Sequence, residues 1–208
     1  MARYKDADCR LCRREGMKLF LKGNRCEMAK CPIERSRPAP GLHGARRRKL
    51  SPYAEQFREK QRLRRMYGVL EEQFRIIFRR AQRKKGITGD NLLILLETRL
   101  DNTLFRLGFA TSRSQARQMI GHGHILVDNH KVDIPSYQLG TGQVVSIKDK
   151  ENSRKVIAGI VEETEKREVP SWLSVDRNGF KGEVLRMPER EDINVPVNEQ
   201  LVVELYSK

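Results

Sequence analysis

Apolar positions are scattered through the first fifty residues and then begin to recur at helical spacing. Ser51-Pro52 reads as a helix start, with serine as N-cap and proline at the first helical position, where its missing N–H costs nothing. This helix is expected to run to about Tyr67 and stop at Gly68, with Phe57, Met66 and Tyr67 as its apolar anchors. A second helix is predicted from about Leu70 to Lys85, ended by Gly86. Within it Phe74, Ile77, Phe78 and Ala81 fall at i, i+3, i+4 and i+7, the stripe of a buried face. Leu92, Leu93, Leu96, Leu100, Leu104 and Leu107 keep to the same spacing and predict one helix from about Asn91 to Leu107. Ser112 with Gln115 three residues later fits a capping box and opens a short helix to Ile120.

Beyond Gly123 the pattern turns strand-like. His124-Ile125-Leu126-Val127 reads as a strand, Asp128-Asn129-His130 as a turn and Lys131-Val132 as the return. Gly140-Thr141-Gly142 precedes a strand from Val144 to Ile147, and a helix is predicted over about Arg154 to Lys166. Trp172 to Val175 and Phe180 to Leu185 suit a hairpin around Asn178-Gly179. Val202, Val203 and Leu205 read as a last strand or a tail lying on the fold. The expected class is α+β in three parts. Residues 1–50 would be a Cys knuckle with a basic linker. Residues 51–90 would be a helical domain, with 188–208 as the segment that could complete it. Residues 91–187 would be a mixed domain, with a helix–helix–hairpin module over about 99–162.

Charge sharpens this picture. Of 208 residues, 42 are Lys or Arg and 27 Asp or Glu, a net charge of +15. Residues 1–85 hold 26 of the basic residues against 9 acidic ones, so the first two fifths carry the whole excess. A field this one-sided attracts a polyanion, and nucleic acid is the commonest. Solvated helix faces also carry charge, but they mix both signs, and Arg46-Arg47-Arg48-Lys49 does not. Arg62, Arg65, Arg83, Lys84 and Lys85 extend the basic set along the two helices. An anionic membrane is the rival partner for such a patch, but no basic stretch has the broad apolar face that would insert. The longest aliphatic run, Leu92 to Leu96, is far short of the ~18 residues of a spanning helix. Lys5, Asp6, Asp8 and Arg10 occupy the place of a secretory signal's apolar region, so an intracellular protein is expected.

All four cysteines lie in the first 31 residues, as Cys9-x2-Cys12, then Cys26-x4-Cys31. Two close pairs joined by a returning loop can meet at one tetrahedral ion. Neighbouring Arg10, Arg13, Arg14 and Arg25 are expected to favour thiolate, the form a metal binds. Zinc leads; a [4Fe-4S] cluster uses the same four thiolates and stays open. Two disulfides would need an oxidising compartment, and four unrelated free thiols would not be expected to cluster this way.

In the module, Arg113 and Arg117 stand at i and i+4 of the short helix, His122 and His124 follow its end, and Lys131 lies on the hairpin. Five donors around a helix end and a tight turn suit the phosphates of a shaped RNA groove. These residues resemble the helical RNA-binding module shared by many ribosomal and RNA-modifying proteins. The whole chain resembles the bacterial small-subunit ribosomal protein four family. The matching features are the Cys cluster, Pro40-Gly41-Leu42-His43-Gly44, Arg99-Leu100-Asp101-Asn102, Ser112-Arg113 with Ala116-Arg117, Gly123-His124-Ile125, Ile134-Pro135-Ser136-Tyr137 and Pro196-Val197-Asn198-Glu199. The chain departs from that pattern at Asp128-Asn129-His130, where an Asn-Gly type of turn is expected. The resemblance implies direct binding to small-subunit rRNA at a multi-helix junction in its five-prime domain, and early nucleation of subunit assembly. It also implies a place in the cytoplasmic ribosome beside ribosomal protein five, near the mRNA where it enters the subunit, and an influence on decoding accuracy. Some members repress translation of their own operon.

Two other classes fit less well. An RNA-modifying enzyme would need a catalytic domain, and no G-x-x-x-x-G-K-[ST], G-x-G-x-x-G or H-E-x-x-H is present. Asp101 lies in a Leu-rich segment and reads as a structural hydrogen-bond partner, and His122 with His124 reads as phosphate contact ahead of proton shuttle. A zinc-containing DNA regulator would concentrate its basic residues on one recognition helix. Here they spread over linker, helices and hairpin, which suits folded RNA.

Overall fold

The structure is a computed structural model that describes residues 4–45, 49–149 and 151–207. Its helices are α1 (Asp8–Glu15), α2 (Pro52–Met66), α3 (Glu71–Arg83), α4 (Thr88–Glu97), α5 (Leu100–Arg106), α6 (Arg113–Gly121), α7 (Glu151–Thr164) and α8 (Glu199–Tyr206). Its strands are β1 (Ile125–Val127), β2 (His130–Lys131), β3 (Val144–Ile147), β4 (Leu173–Asp176) and β5 (Lys181–Val184). Two units divide the chain, Met1–Leu92 with Val195–Lys208, and Leu93–Asn194.

In the first unit, Ser51 caps α2 by accepting a hydrogen bond from Ala54 N–H at 3.3 Å, with Pro52 at the first helical position, as the sequence predicts. The stripe Phe74, Ile77, Phe78 and Ala81 is buried on α3. The expected last strand or tail is instead a helix, α8, whose N-cap Asn198 accepts from Gln200 N–H at 3.0 Å. Tyr206 on α8 stacks on Phe78, with centroids 4.5 Å apart, so the final apolar residues close the helical core. The Cys-rich segment holds α1 and a 3₁₀ turn at Gly23–Cys26, neither of which apolar periodicity announced. In the linker, a Cβ added at Gly44 would lie 1.8 Å from the Ala39 carbonyl oxygen, so the Pro40–Gly44 turn requires glycine there.

The second unit is built on an antiparallel sheet ordered β2-β1-β3-β5-β4. Its core gathers Leu100, Leu104, Phe109, Ile120, Ile125, Val145, Ile157 and Trp172. Gly182 lets Leu107 approach the sheet: an added Cβ would meet the leucine's methyl carbon at 2.5 Å. The β1–β2 turn falls on Asp128 and Asn129, both with positive φ (49° and 65°), the pair of left-handed residues that a two-residue hairpin needs. Asp and Asn tolerate that region, so the departure from Asn-Gly leaves the hairpin intact.

The single helix expected over 91–107 is two, α4 and α5, broken at Thr98-Arg99. Arg99 is extended (ψ 137°) and bridges Gln138. The N–H groups of Leu100 and Asp101 donate to the carbonyls of Tyr137 and Pro135, at 2.8 and 3.1 Å. Partners distant in sequence thus satisfy the first donors of α5, and the leucine spacing carries through the break.

Candidate nucleic-acid interface

On α3 the buried stripe leaves the opposite side to cations. Arg79, Arg80, Arg83, Lys84 and Lys85 are exposed, and among the described residues none of them has a carboxylate partner. Arg75 lies on the same side and is drawn to Glu71 and Glu72 at 3.8 Å. Of the predicted basic run, Lys49 is exposed, and Arg46, Arg47 and Arg48 lie outside the described residues.

A second basic feature was not singled out from the sequence. A cleft of about 1050 Å³ is lined by Arg13, Arg14, Arg37, His43, Arg58 and Arg62. Glu15 also lines it, its side chain 0% exposed and paired with Arg58 at 3.2 Å, with Arg65, and with Arg62 at 3.8 Å. Burial pushes the Glu15 carboxyl up, against the pull of these arginines, and pushes Arg58 down. One carboxylate facing three guanidinium groups ties α1 to α2 and leaves a surplus of positive charge in the cleft. The predicted RNA contacts Arg62 and Arg65 are therefore partly engaged in this clamp, and Arg62 also pairs with Glu59. The signal available in the sequence was that Glu15 is the lone acid between Asp8 and Glu27.

In the second unit the predicted donors separate by burial. Arg113 is 9% exposed, donates from Nε to Asn102 Oδ1 at 2.8 Å and lies over the Phe105 ring at 4.5 Å. Arg117 is half-buried and donates to Asp101 Oδ2 at 2.7 Å, an oxygen that also receives Arg99 at 2.8 Å. Spacing alone put Arg113 and Arg117 on an outward face. In the structure Arg113 joins α6 to α5 from inside, because a polar partner waits for it in the neighbouring helix. Asp101 is the structural hydrogen-bond partner that the sequence suggested. Sequence reasoning passed over Arg167, which also covers Phe105 and donates to the carbonyls of Phe105, Ala110 and Thr111. His122 and Lys131 are exposed, and His124 is held by Ser153, with Nδ1 3.0 Å from the hydroxyl.

Cys12, Cys26 and Cys31 are buried, Cys9 is half-buried, and none is in a disulfide. All four line one small pocket together with Lys22 and Arg25. Among the described residues, no group of three or more His, Cys, Asp or Glu side chains is arranged to hold a metal ion. The donor set is nonetheless suited to a thiophilic metal, and the Lys22 backbone N–H reaches Cys26 Sγ at 3.4 Å. Thiols lowered by nearby arginines were expected, but burial pushes Cys12 up to about 11, and Cys26, Cys9 and Cys31 add to the rise. Burial likewise raises Cys26. Desolvation outweighs the backbone hydrogen bonds that favour the thiolates.

Among the described residues, no helix is long and apolar enough to cross a membrane. Residues 3–97 match the model of the ribosomal protein S4/S9 N-terminal domain, and residues 98–145 match that of the S4 domain. Over 208 residues the chain is 56% identical to the small ribosomal subunit protein uS4 of Maridesulfovibrio salexigens, covering 100% of both chains. Identity is 54% to the protein of that name from Thermoanaerobacter sp. strain X514 and 53% to that from Solidesulfovibrio magneticus, with 100% coverage of both chains in each case.

Proposed function

The chain belongs to the small ribosomal subunit protein uS4 family, and we propose that it binds the multi-helix junction in the five-prime domain of small-subunit rRNA and nucleates assembly of the subunit body. Membership makes it a structural, non-enzymatic, rRNA-binding constituent of the small subunit in the cytoplasmic ribosome. The observation that carries the binding surface is the α3 face, where Arg79, Arg80, Arg83, Lys84 and Lys85 stand exposed without acidic partners among the described residues. Such a row grips phosphates and recognises the shape of a folded RNA more than its base sequence. In the same reading the protein lies beside ribosomal protein five, near the mRNA where it enters the subunit, and influences decoding accuracy. Translational repression of its own operon, which some members of the family carry out, stays open as a further activity of the same surface.

In this reading Cys9, Cys12, Cys26 and Cys31 hold one zinc ion, with a [4Fe-4S] cluster as the alternative. Support comes from four cysteines that line one pocket with no disulfide among them, a donor set of four soft sulfur ligands. Bound metal would supply folding free energy to a segment with little apolar surface of its own.

Footprinting of the full chain on small-subunit rRNA, with metal analysis of the same anaerobic sample, tests both readings. Protection is expected at one junction in the five-prime domain, and protection elsewhere or nowhere overturns that placement. A colourless protein carrying zinc is expected; a brown, absorbing one would favour the cluster, and absence of either metal in protein kept reduced overturns the site. Cys26→Ser should speed proteolysis near Arg35 and leave α2 and α3 folded.

A further inference from the structure

A cavity of about 280 Å³ lies where the end of α6 meets α7, and the described side chains that line it include no lysine or arginine. Met119 and Ile157 give it apolar walls, and His122 and His124 give it two imidazoles. Gln118 and Gln115 add carboxamides. These groups suit a flat, uncharged ring with hydrogen-bonding edges. The volume falls just below the ~300–1,000 Å³ of pockets for drug-sized ligands, so a single ring system fits.

The two histidines are prepared differently. His124 is fixed by Ser153, itself buried, whereas His122 is exposed, its ring 6.1 Å from that of His124 and tilted by 39°. Gln115 Oε1 already accepts from the Thr111 N–H and hydroxyl, at 2.7 and 2.8 Å, which leaves its NH2 group to donate. Gln118 is exposed and offers both a donor and an acceptor. Lys131 crosses the backbone between the two histidines: a Cβ on Gly123 would meet its Cε at 2.5 Å. The exposed Lys131 ammonium therefore stands near the His122–His124 end of a largely apolar cavity, an arrangement that matches one nucleotide, with the base inside and the phosphate at the rim.

The geometry points to a receptor for one unpaired nucleobase of the bound RNA, stacked on His122 and met at its edge by Gln118 and Gln115. This rests on the rRNA-binding reading and adds to it a single extruded base. Unpaired bases of RNA are commonly read this way, by stacking on aromatic or histidine rings and by bonds to their edges.

The test measures affinity of the full chain for a five-prime-domain rRNA fragment, with an abasic nucleotide placed at each unpaired position in turn. His122→Ala should weaken binding between about fivefold and about 150-fold, the range of one base–aromatic stack. His122→Phe, which keeps a stacking ring, should bind within about twofold of the parent, the residue of a retained stack. One abasic position should weaken the parent similarly and add nothing in the His122→Ala background. Because His122 is exposed, circular dichroism should be unchanged in both variants, and Gln118→Ala should give a smaller loss at that same position. Equal losses in the Ala and Phe variants, with a salt slope reduced by about one, would mean that His122 holds a phosphate, overturning the base receptor and sparing rRNA binding. Unaltered affinity in His122→Ala, or additivity at every abasic position, overturns it as well. A parent protein that binds no rRNA fragment would instead overturn the reading beneath it.

Discussion

Arg113 donates its Nε–H in a hydrogen bond to Asn102 Oδ1 and covers the Phe105 ring, whereas Arg83, at the end of α3, stands exposed. Burial decides which arginine is structural and which is free for RNA. Arg113→Ala removes a charged hydrogen bond and leaves Asn102 Oδ1 without that donor, which should cost about 1–3 kcal/mol in urea unfolding. An unchanged midpoint would show that the bond adds nothing to stability. Arg83→Ala should keep stability within about 0.5 kcal/mol, as exposed substitutions do, and should weaken rRNA binding. Sequence spacing identified these side chains as a basic set and could not sort them. The carboxylate that takes Arg117 is Asp101, which reaches it only because α5 and α6 fold together. The pairing of Arg58, Arg62 and Arg65 with Glu15 was not legible for the same reason, since their partner belongs to another helix.

Helices α2, α3 and α6 were legible because their signals are local: a serine cap before α2 and α6, and an apolar stripe four residues deep on α3. The break between α4 and α5 was not, because it is made by hydrogen bonds from Leu100 and Asp101 to carbonyls more than thirty residues away. Helix α8 is a short segment carrying two β-branched valines, so its period was ambiguous until its neighbours were known. Docking of α8 makes a test at this scale. Glu71 accepts from Lys60 at 2.8 Å and from the Tyr206 hydroxyl at 3.0 Å. Burial pushes Glu71 up, but these bonds prevail and hold it below its ordinary 4.5. A folded-state value below the unfolded one adds stability above the unfolded value, and that stability disappears as pH falls through the folded value. The melting temperature of the parent should therefore exceed that of Glu71→Gln near neutral pH, with the gap closing as pH falls below about 4. A gap that stays constant with pH would exclude the carboxylate as its source.

Over the whole molecule the charge is uneven, with 26 Lys or Arg against 9 Asp or Glu in residues 1–85 and 16 against 18 in the remainder. Binding to rRNA should then be driven largely by release of counterions from phosphate, and most of its salt dependence should come from the first part of the chain. If about 6–10 phosphates are contacted, affinity should drop by about 10³–10⁵ between about 50 and 200 mM salt. The α3 cations give the means to apportion that slope. Arg83, Lys84 and Lys85 are exposed, lie at or just beyond the end of α3, and have no carboxylate partner among the described residues. Changing all three to glutamine should lower the slope of log affinity against log salt by about 2–3, at about 0.7–0.9 for each phosphate no longer neutralised. Stability should hardly move, because the buried stripe of Phe74, Ile77, Phe78 and Ala81 is untouched. The control is a matching triple change in the second unit, at Lys166, Arg177 and Lys181, where the net charge of the chain falls equally. If binding follows total charge alone, the two triples will shift the slope alike. If the α3 face meets the phosphates, only the first will. A slope unchanged by either triple would remove α3 from the interface and leave the cleft of Arg13, Arg14, Arg37 and Arg58, with exposed Lys49, as the candidates for phosphate binding in that unit.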